Sequence, residues 1–244
     1  YLFADLLTDQ PLEILDVEQD RFGSQIIVPG TFTGSIPITN RHDASLARAV
    51  FPNPQEYPPP AGEGRVVCHV YKGEDLTDLW DSYLIWECNS SGGDGGNRLD
   101  ISGATLDSYL NRREIWDDLA MSQEDQIDVA HALVADSAFE AGGDIGLAIS
   151  GDLSGVLVDF EAPASQAATY GSRLAQLANA ENGFEFRVKC YVDMPAGNRV
   201  REFVTGYPGL EGDGTEMTAS FPGNIASYRY SGSALDAATR WRAR

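Results

Sequence analysis

Lysine is almost missing from this chain. Of 244 residues only Lys72 and Lys189 are lysines, and every other basic side chain is an arginine. Cysteine, histidine and methionine are equally sparse, at three each. Cys68, Cys88 and Cys190 are odd in number and far apart, which excludes a disulfide framework and a structural zinc site. Each lies in an alternating apolar run, so each is expected to be a small buried hydrophobe. No apolar run approaches the ~20 residues that cross a bilayer, so no membrane segment is expected. The start, Tyr1-Leu2-Phe3-Ala4-Asp5, has no basic segment ahead of a long apolar one and does not read as a secretory signal. It also lacks an initiator Met, and residues ahead of Tyr1 are expected.

Positive charge is the other shortage. Seventeen basic side chains face 37 acidic ones, for a net charge of −20. A field of that sign repels phosphate, which argues against sequence-specific nucleic-acid binding and against adhesion to an anionic membrane. An acidic, arginine-over-lysine profile fits GC-rich coding or a salt-adapted proteome. It bears on origin and solubility, not on chemistry. Apolar residues make up 43%, enough over this length for one large domain or two small ones.

Catalytic signatures are thin. His42, His69 and His131 form no His-Glu-x-x-His or His-x-His pairing, and no Gly-x-Ser-x-Gly elbow is present. Asp117-Asp118, Glu124-Asp125 and Asp16 with Glu18 pair carboxylates in sequence. A glycosidase needs two acids opposed across a cleft, so these read as solvated surface. Gly92–Asn97 lacks both the Lys-Ser/Thr of a phosphate loop and the regular oxygens of a calcium loop, and reads as a flexible hairpin loop. Arg240–Arg244 is too short for an RNA-binding tail, and reads as a strand start or a contact with an acidic partner. No catalytic, cofactor-binding or metal-ligating residue is assigned, and no cofactor is expected.

Period-two patterns dominate. Strands are expected at Thr31–Ile38 (Phe32, Ile36 and Ile38 on one face), at Arg65–Tyr71 (Val66, Cys68, Val70), and at Leu79–Cys88. In the last, Trp80, Leu84, Trp86 and Cys88 share one face. The clearest run is Phe184–Val192, where Phe184, Phe186, Val188, Cys190 and Val192 alternate with more polar residues. A turn of five or six residues then leads to Arg199–Thr205, closing a hairpin. Leu174 and Leu177 are expected to pack on the inner face of that run. Two helices are expected: Ser122 to about Phe139, capped by Ser122 and ended by Gly142-Gly143, and about Ser165 to Ala180. Pro52–Gly64, Ser90–Asn97 and Gly206–Thr215 read as exposed loops. The class is α+β, β-dominant, with two main helices. The organisation expected is a β-barrel-like domain at 1–118, a helical connector and strand at 119–164, and a helix with antiparallel strands at 165–244 as a second, truncated barrel-like part.

Phe3-Ala4-Asp5-Leu6-x-Thr8, Gly30-Thr31-Phe32-Thr33-Gly34 through Pro37, Ser108-Tyr109-Leu110-x-Arg112-Arg113, Gly183–Arg187 and Phe221-Pro222-Gly223-Asn224-Ile225-Ala226-Ser227-Tyr228 occur in that order. As an ordered set they resemble the minor tail proteins of long-tailed bacteriophages, especially actinobacterial ones. The family's central Trp-Gly-Gly-Ile is replaced by Trp80-Asp81-Ser82-Tyr83-Leu84-Ile85-Trp86, so the close packing of that strand is expected to differ. The resemblance implies tail-tube-like β-barrel or sandwich domains and a hub at the distal end of the tail. It implies a homo-trimer around a channel for passing DNA, without specific DNA binding. The implied neighbours are the distal tail protein, the tape measure protein and the tip or fibre proteins. The implied location is the virion tail, assembled in the bacterial host cytoplasm. It implies no catalytic residues, and a chain that continues past Arg244. The residues alone leave two other classes open: a carbohydrate-binding β-domain using Trp80, Trp86 or Trp116, and a hydrolase using paired acids. The six carboxylates of Glu114–Asp128, with no Lys or Arg among them, make that stretch a candidate for an acidic channel wall.

Overall fold

Alternating strands with one buried face need a partner layer, and here one large sheet is sealed on both sides. The structure, a computed structural model, describes residues 1–51, 66–73, 76–92, 96–194 and 196–210. The Pro52–Gly64 loop, Phe221–Tyr228 and Arg240–Arg244 therefore lie wholly or almost wholly outside the described residues.

In chain order the elements are β1 (Leu2–Asp5), β2 (Pro11–Ile14), β3 (Glu18–Phe22), β4 (Thr31–Ile38), α1 (Arg41–Val50), β5 (Val66–Lys72), β6 (Asp78–Ser91) and β7 (Asn97–Thr105). A 3-10 turn, Leu106–Arg112, follows. Then come β8 (Leu119–Asp125), α2 (Gln126–Phe139), β9 (Leu147–Ser150), β10 (Leu157–Ala162), α3 (Tyr170–Ala178), β11 (Glu185–Asp193) and β12 (Asn198–Gly206). The fold is α+β with strands in the majority.

A seven-stranded sheet runs β2-β1-β5-β6-β7-β4-β3, antiparallel throughout. It curls strongly. The Tyr1 hydroxyl beside β1 donates to Asp20 on β3, at 2.5 Å, and the Tyr1 and Phe32 rings lie 6.2 Å apart. Inside the curl sit Phe3, Phe32, Ile36, Val66, Cys68, Tyr83 and Ile101, with Val50 of α1 against them. The barrel implied by the resemblance is not closed. Among the described residues no ladder joins β2 to β3, and α1 packs on both β2 and β4 instead.

The other face of the sheet presents Val67, Leu79 and Leu84 to a second core. That core takes in Leu106, Tyr109, Leu110, Ile127, Leu133, Leu174, Phe184, Phe186, Val188 and Phe203. It draws on residues from each of the three expected segments. Over it lie α2, α3 and the sheet β11-β12-β9, in which β9 joins β12 in parallel; β8 and β10 pair separately. Phe184, Phe186, Val188 and Cys190 are all buried with Leu174, and half-buried Leu177 packs against them, as the period-two pattern predicts.

Several expectations need correction. The helix does not start at Ser122: residues 119–125 form β8 against β10, and Asp125 caps α2 by accepting from the Ile127 N–H at 2.9 Å. Strand pairing with a partner some 40 residues away overrides the local capping signal. The second helix starts at Tyr170, not near Ser165, because Ala167 adopts a left-handed φ of 46° and Thr169 caps behind it. Helix α1 was not anticipated, although Asn40 caps it by accepting from the His42 and Asp43 N–H groups. The β11–β12 loop spans residues 194–197, four residues instead of five or six.

Two bulges in β6 redistribute its faces. Val70 pairs with Asp81 and Tyr71 with Leu79, which leaves Trp80 unopposed and turns it outward, 52% exposed. Leu79 therefore joins Leu84 in the second core, and Trp80 does not share a face with Trp86. A second bulge lies between Ile85 and Glu87. Past it the hairpin extends beyond the core, and Cys88 is exposed, unlike buried Cys68 and Cys190.

Candidate functional site

The densest polar constellation gathers around Asp9, in the turn between β1 and β2. The sequence builds that turn locally. Asp5 ends β1, and its carboxylate accepts from the Leu7 N–H (3.1 Å), the Thr8 N–H (2.8 Å) and the Thr8 hydroxyl (2.7 Å). This Asx-type turn uses the Asp and Thr of the Phe-Ala-Asp-Leu-x-Thr segment. It delivers Asp9 at a left-handed φ of 54°, costly for a residue with a Cβ and here held by its contacts.

Three cationic or potentially cationic side chains meet Asp9. Arg199 donates from Nε to Oδ2 at 2.6 Å and from Nη2 to the Asp9 carbonyl at 2.7 Å. Arg201 donates from Nη2 to Oδ1 at 2.6 Å. His69 Nε2 lies 3.1 Å from the same Oδ1. Arg199 and Arg201 are two apart on β12, so one strand face presents both. Arg201 is buried, and its Nη1 donates to the Leu6 carbonyl (2.5 Å) and the Ile145 carbonyl (2.9 Å). One side chain thus ties the first turn, β12 and the segment before β9 together.

Behind His69 stands Ser82, whose hydroxyl lies 2.7 Å from Nδ1. Asp9 is acceptor-only, so Nε2 carries the proton and Nδ1 accepts from Ser82, which fixes the neutral tautomer. Burial alone would raise the Asp9 carboxyl. His69, by its hydrogen bond and, when protonated, by its charge, the charge of Arg201 and the Arg199 bond outweigh it and hold Asp9 down to about 2. Burial depresses His69, and the two arginines add to that against the pull of Asp9. Serine, histidine and aspartate stand in line as in a hydrolytic triad. Yet Ser82 is 1% and His69 0% exposed, so a substrate has no approach to the hydroxyl. The chemistry available here is fastening.

The sequence-level candidates are scattered. Asp16, Glu18, Asp117 and Glu124 are exposed. Asp118 accepts from the Ala164 N–H at 2.8 Å. Asp125 is buried and binds the 154–155 backbone besides capping α2. His42 is exposed, and His131 Nε2 lies 3.0 Å from the Thr205 hydroxyl. The three tryptophans differ in setting. Lys72 lies over Trp80 at 4.4 Å and the Phe22 ring meets it edge-on. Trp86 donates to the Ser108 hydroxyl at 2.9 Å, with the Arg112 guanidinium 4.8 Å from its ring. Trp116 is 67% exposed. Sequence reasoning missed Asp9, Arg199 and Arg201; the available signal was the pair of arginines at i and i+2 on one strand face.

The described segments carrying the family resemblance are architectural. Phe3, Ala4, Leu6, Phe32, Tyr109, Leu110, Phe184 and Phe186 are all buried. A Cβ on Gly30 would sit 2.0 Å from the Gly23 carbonyl oxygen, so only glycine fits there. Arg113 closes the set: its carbonyl accepts from the Tyr170 N–H at 3.0 Å, docking α3.

No family model matches this chain, and no curated protein does. Solved structures similar in outline include three tail or secretion proteins. The tail protein from Neisseria meningitidis MC58 is 16% identical, with a TM-score of 0.41 over 82% of this chain and 49% of its own. The E. coli c3393 protein is described as a type VI secretion component structurally similar to the T4 tail proteins gp27 and gp5. It is 10% identical, with a TM-score of 0.42 over 82% of this chain and 51% of its own. The prophage tail protein gp18 from Listeria monocytogenes EGD-e is 10% identical, with a TM-score of 0.43 over 84% and 49%. The chain spans about half the length of each. At these scores the likeness carries no functional argument.

Proposed function

We propose that this chain is a structural hub of a bacteriophage tail or a related injection device. Three copies form a ring around the DNA channel at the distal end of the tail and link the tube to the tip or fibres. The supporting observation is the ordered set of tail-protein-like segments. In the fold the described ones become β1 with its turn, β4, the 3-10 turn and the start of β11, with Phe3, Phe32, Tyr109 and Phe184 among their buried residues. The partners in this reading are the distal tail protein, the tape measure protein and the tip or fibre proteins, in a virion tail assembled in the host cytoplasm. The protein is not an enzyme in this reading; the Ser82-His69-Asp9 alignment is buried and serves as a fastening.

The charge of −20 agrees with a conduit. Passing DNA must slide, and arginine on the wall would bind phosphates and release counterions. Within Glu114–Asp128 every carboxylate except that of Asp125 is exposed and available for such a wall. Cryo-electron microscopy of the full-length protein with its tail neighbours tests the proposal. A three-fold ring with a central opening supports it; a monomer in the assembled particle overturns it.

A further inference from the structure

The first turn and β12, far apart in the chain, meet through Asp9 and two arginines, and the buried imidazole that shares the Asp9 carboxylate makes the contact sensitive to protons. We propose that the His69–Asp9–Arg199–Arg201 junction is an acid-sensitive latch, in which a proton on His69 releases the Leu7–Gln10 turn from β12.

The argument is one of hydrogen-bond capacity and charge. Neutral His69 has both ring nitrogens satisfied, Nε2–H toward Asp9 and Nδ1 accepting from Ser82. A proton arriving at Nδ1 turns that nitrogen into a donor. The Ser82 hydroxyl must then accept, and its own proton is left with only the weakly accepting sulfur of Cys190, in a place that water does not reach. At the same moment a third cation joins Arg199 and Arg201 around one carboxylate.

The groups facing the ring offer no relief. From the first turn comes Asp9 alone; from β12, Arg199 and Arg201; from β5, the Tyr71 ring at 6.5 Å. β6 contributes Ser82 and, next to it, Asp81, which loses its charge near pH 6. β11 contributes the buried Cys190 thiol, which burial keeps protonated. Acidification thus adds a third positive charge around the single carboxylate of Asp9. The mobile side is the turn: Thr8 and Gln10 are exposed and Leu7 and Asp9 only half-buried, whereas β12 is held in a three-stranded sheet. The direction agrees, since burial already lowers the affinity of His69 for a proton. A state that binds the proton more readily, with the turn released, gains population as pH falls below the usual histidine range.

Hydrogen exchange followed by mass spectrometry on the full chain, from pH 7.5 to 5 with correction for intrinsic rates, tests this. Protection of peptides over residues 5–10 should fall, approaching about tenfold per pH unit below the histidine range, while β4 and α2 keep theirs. His69→Gln supplies an amide donor to Asp9 and a carbonyl acceptor for Ser82 without titrating. It should stay protected at pH 5. Protection of residues 5–10 that is independent of pH in the wild type, or an unchanged fall in His69→Gln, overturns the latch. Should that variant not fold, the imidazole resonances of wild-type His69 decide: their titration must coincide with the loss of protection, and midpoints that differ refute the proposal.

Discussion

Asp9 and Arg201 lie 192 residues apart in the chain and meet at 2.6 Å. The pair is buried on the arginine side and carries two further backbone acceptors, the Leu6 and Ile145 carbonyls. Replacing Arg201 by alanine leaves those carbonyls unpaired and Asp9 with one guanidinium fewer. The expected cost is about 3–5 kcal/mol, the range for breaking a buried pair from one side. Urea unfolding of both proteins measures it, and a loss below about 1 kcal/mol would show that the clamp fastens little.

Phe186 is 3% exposed, with its ring 5.4 Å from that of Phe203 and 6.1 Å from that of Phe184. Phe186→Ala should destabilise by about 3–5 kcal/mol through lost transfer energy and the cavity left behind. The same denaturation experiment reads it.

Asp81 is the acid most out of place. Burial raises it to about 6, against hydrogen bonds from the Ser82 N–H and the Ser24 hydroxyl and the charge of Arg187, with Asp107 adding to the rise. A raised folded pKa means that the folded state holds the proton more tightly than the unfolded chain. The carboxylate therefore costs stability above about pH 6, and stability is regained as pH falls from about 6 toward 4. Asp81→Asn removes the charge and keeps an acceptor for the Ser82 N–H. It should gain about 2–3 kcal/mol at pH 7 and little at pH 4, from about two pKa units at 1.36 kcal/mol each. Melting temperatures at the two pH values test the sign.

Asp9 behaves in the opposite sense. Its folded pKa is depressed, so its contribution is complete above the usual carboxylate range and fades as pH falls toward about 2. Asp9→Asn should narrow the gap in stability between pH 5 and pH 2, which equilibrium unfolding at the two pH values measures.

The proposed ring makes its own demand. The channel wall of the assembled tip should be acidic or neutral, and a map of the particle should place few arginines on it. A lumen lined mainly by arginine removes the sliding argument.

Much of the fold was legible where side chains alternate over a half-buried surface. β4 begins and ends at Thr31 and Ile38, as its pattern predicts, and the inner face of β11 follows from Phe186, Val188 and Cys190. What failed was whatever depends on a distant partner. Ser122 and Glu124 look like the start of a helix until β10 pairs with them. Trp80 looks like a core residue until a bulge opposite Val70 and Tyr71 turns it outward. Helix α1 does have a local signal, with Asn40 and Asp43 ahead of Leu46, Ala47 and Val50. The junction around Asp9 was the least legible of all. Nothing local to His69, Asp9 or Arg201 says that they meet, since the contact exists only once both cores have formed.

That separation carries a consequence for synthesis. The left-handed turn at Asp9 leaves the ribosome well ahead of the guanidinium that holds it, which follows 192 residues later. At about 5–20 residues per second the first hairpin waits roughly 10–40 s for its fastener. Until then β1 can pair with β2 and, once residues 66–72 are made, with β5, but the turn has no hold on β12 and its apolar neighbours stay uncovered. Slow translation or crowded polysomes would prolong that interval, so the yield of native protein should depend on expression rate more steeply than its final stability alone implies.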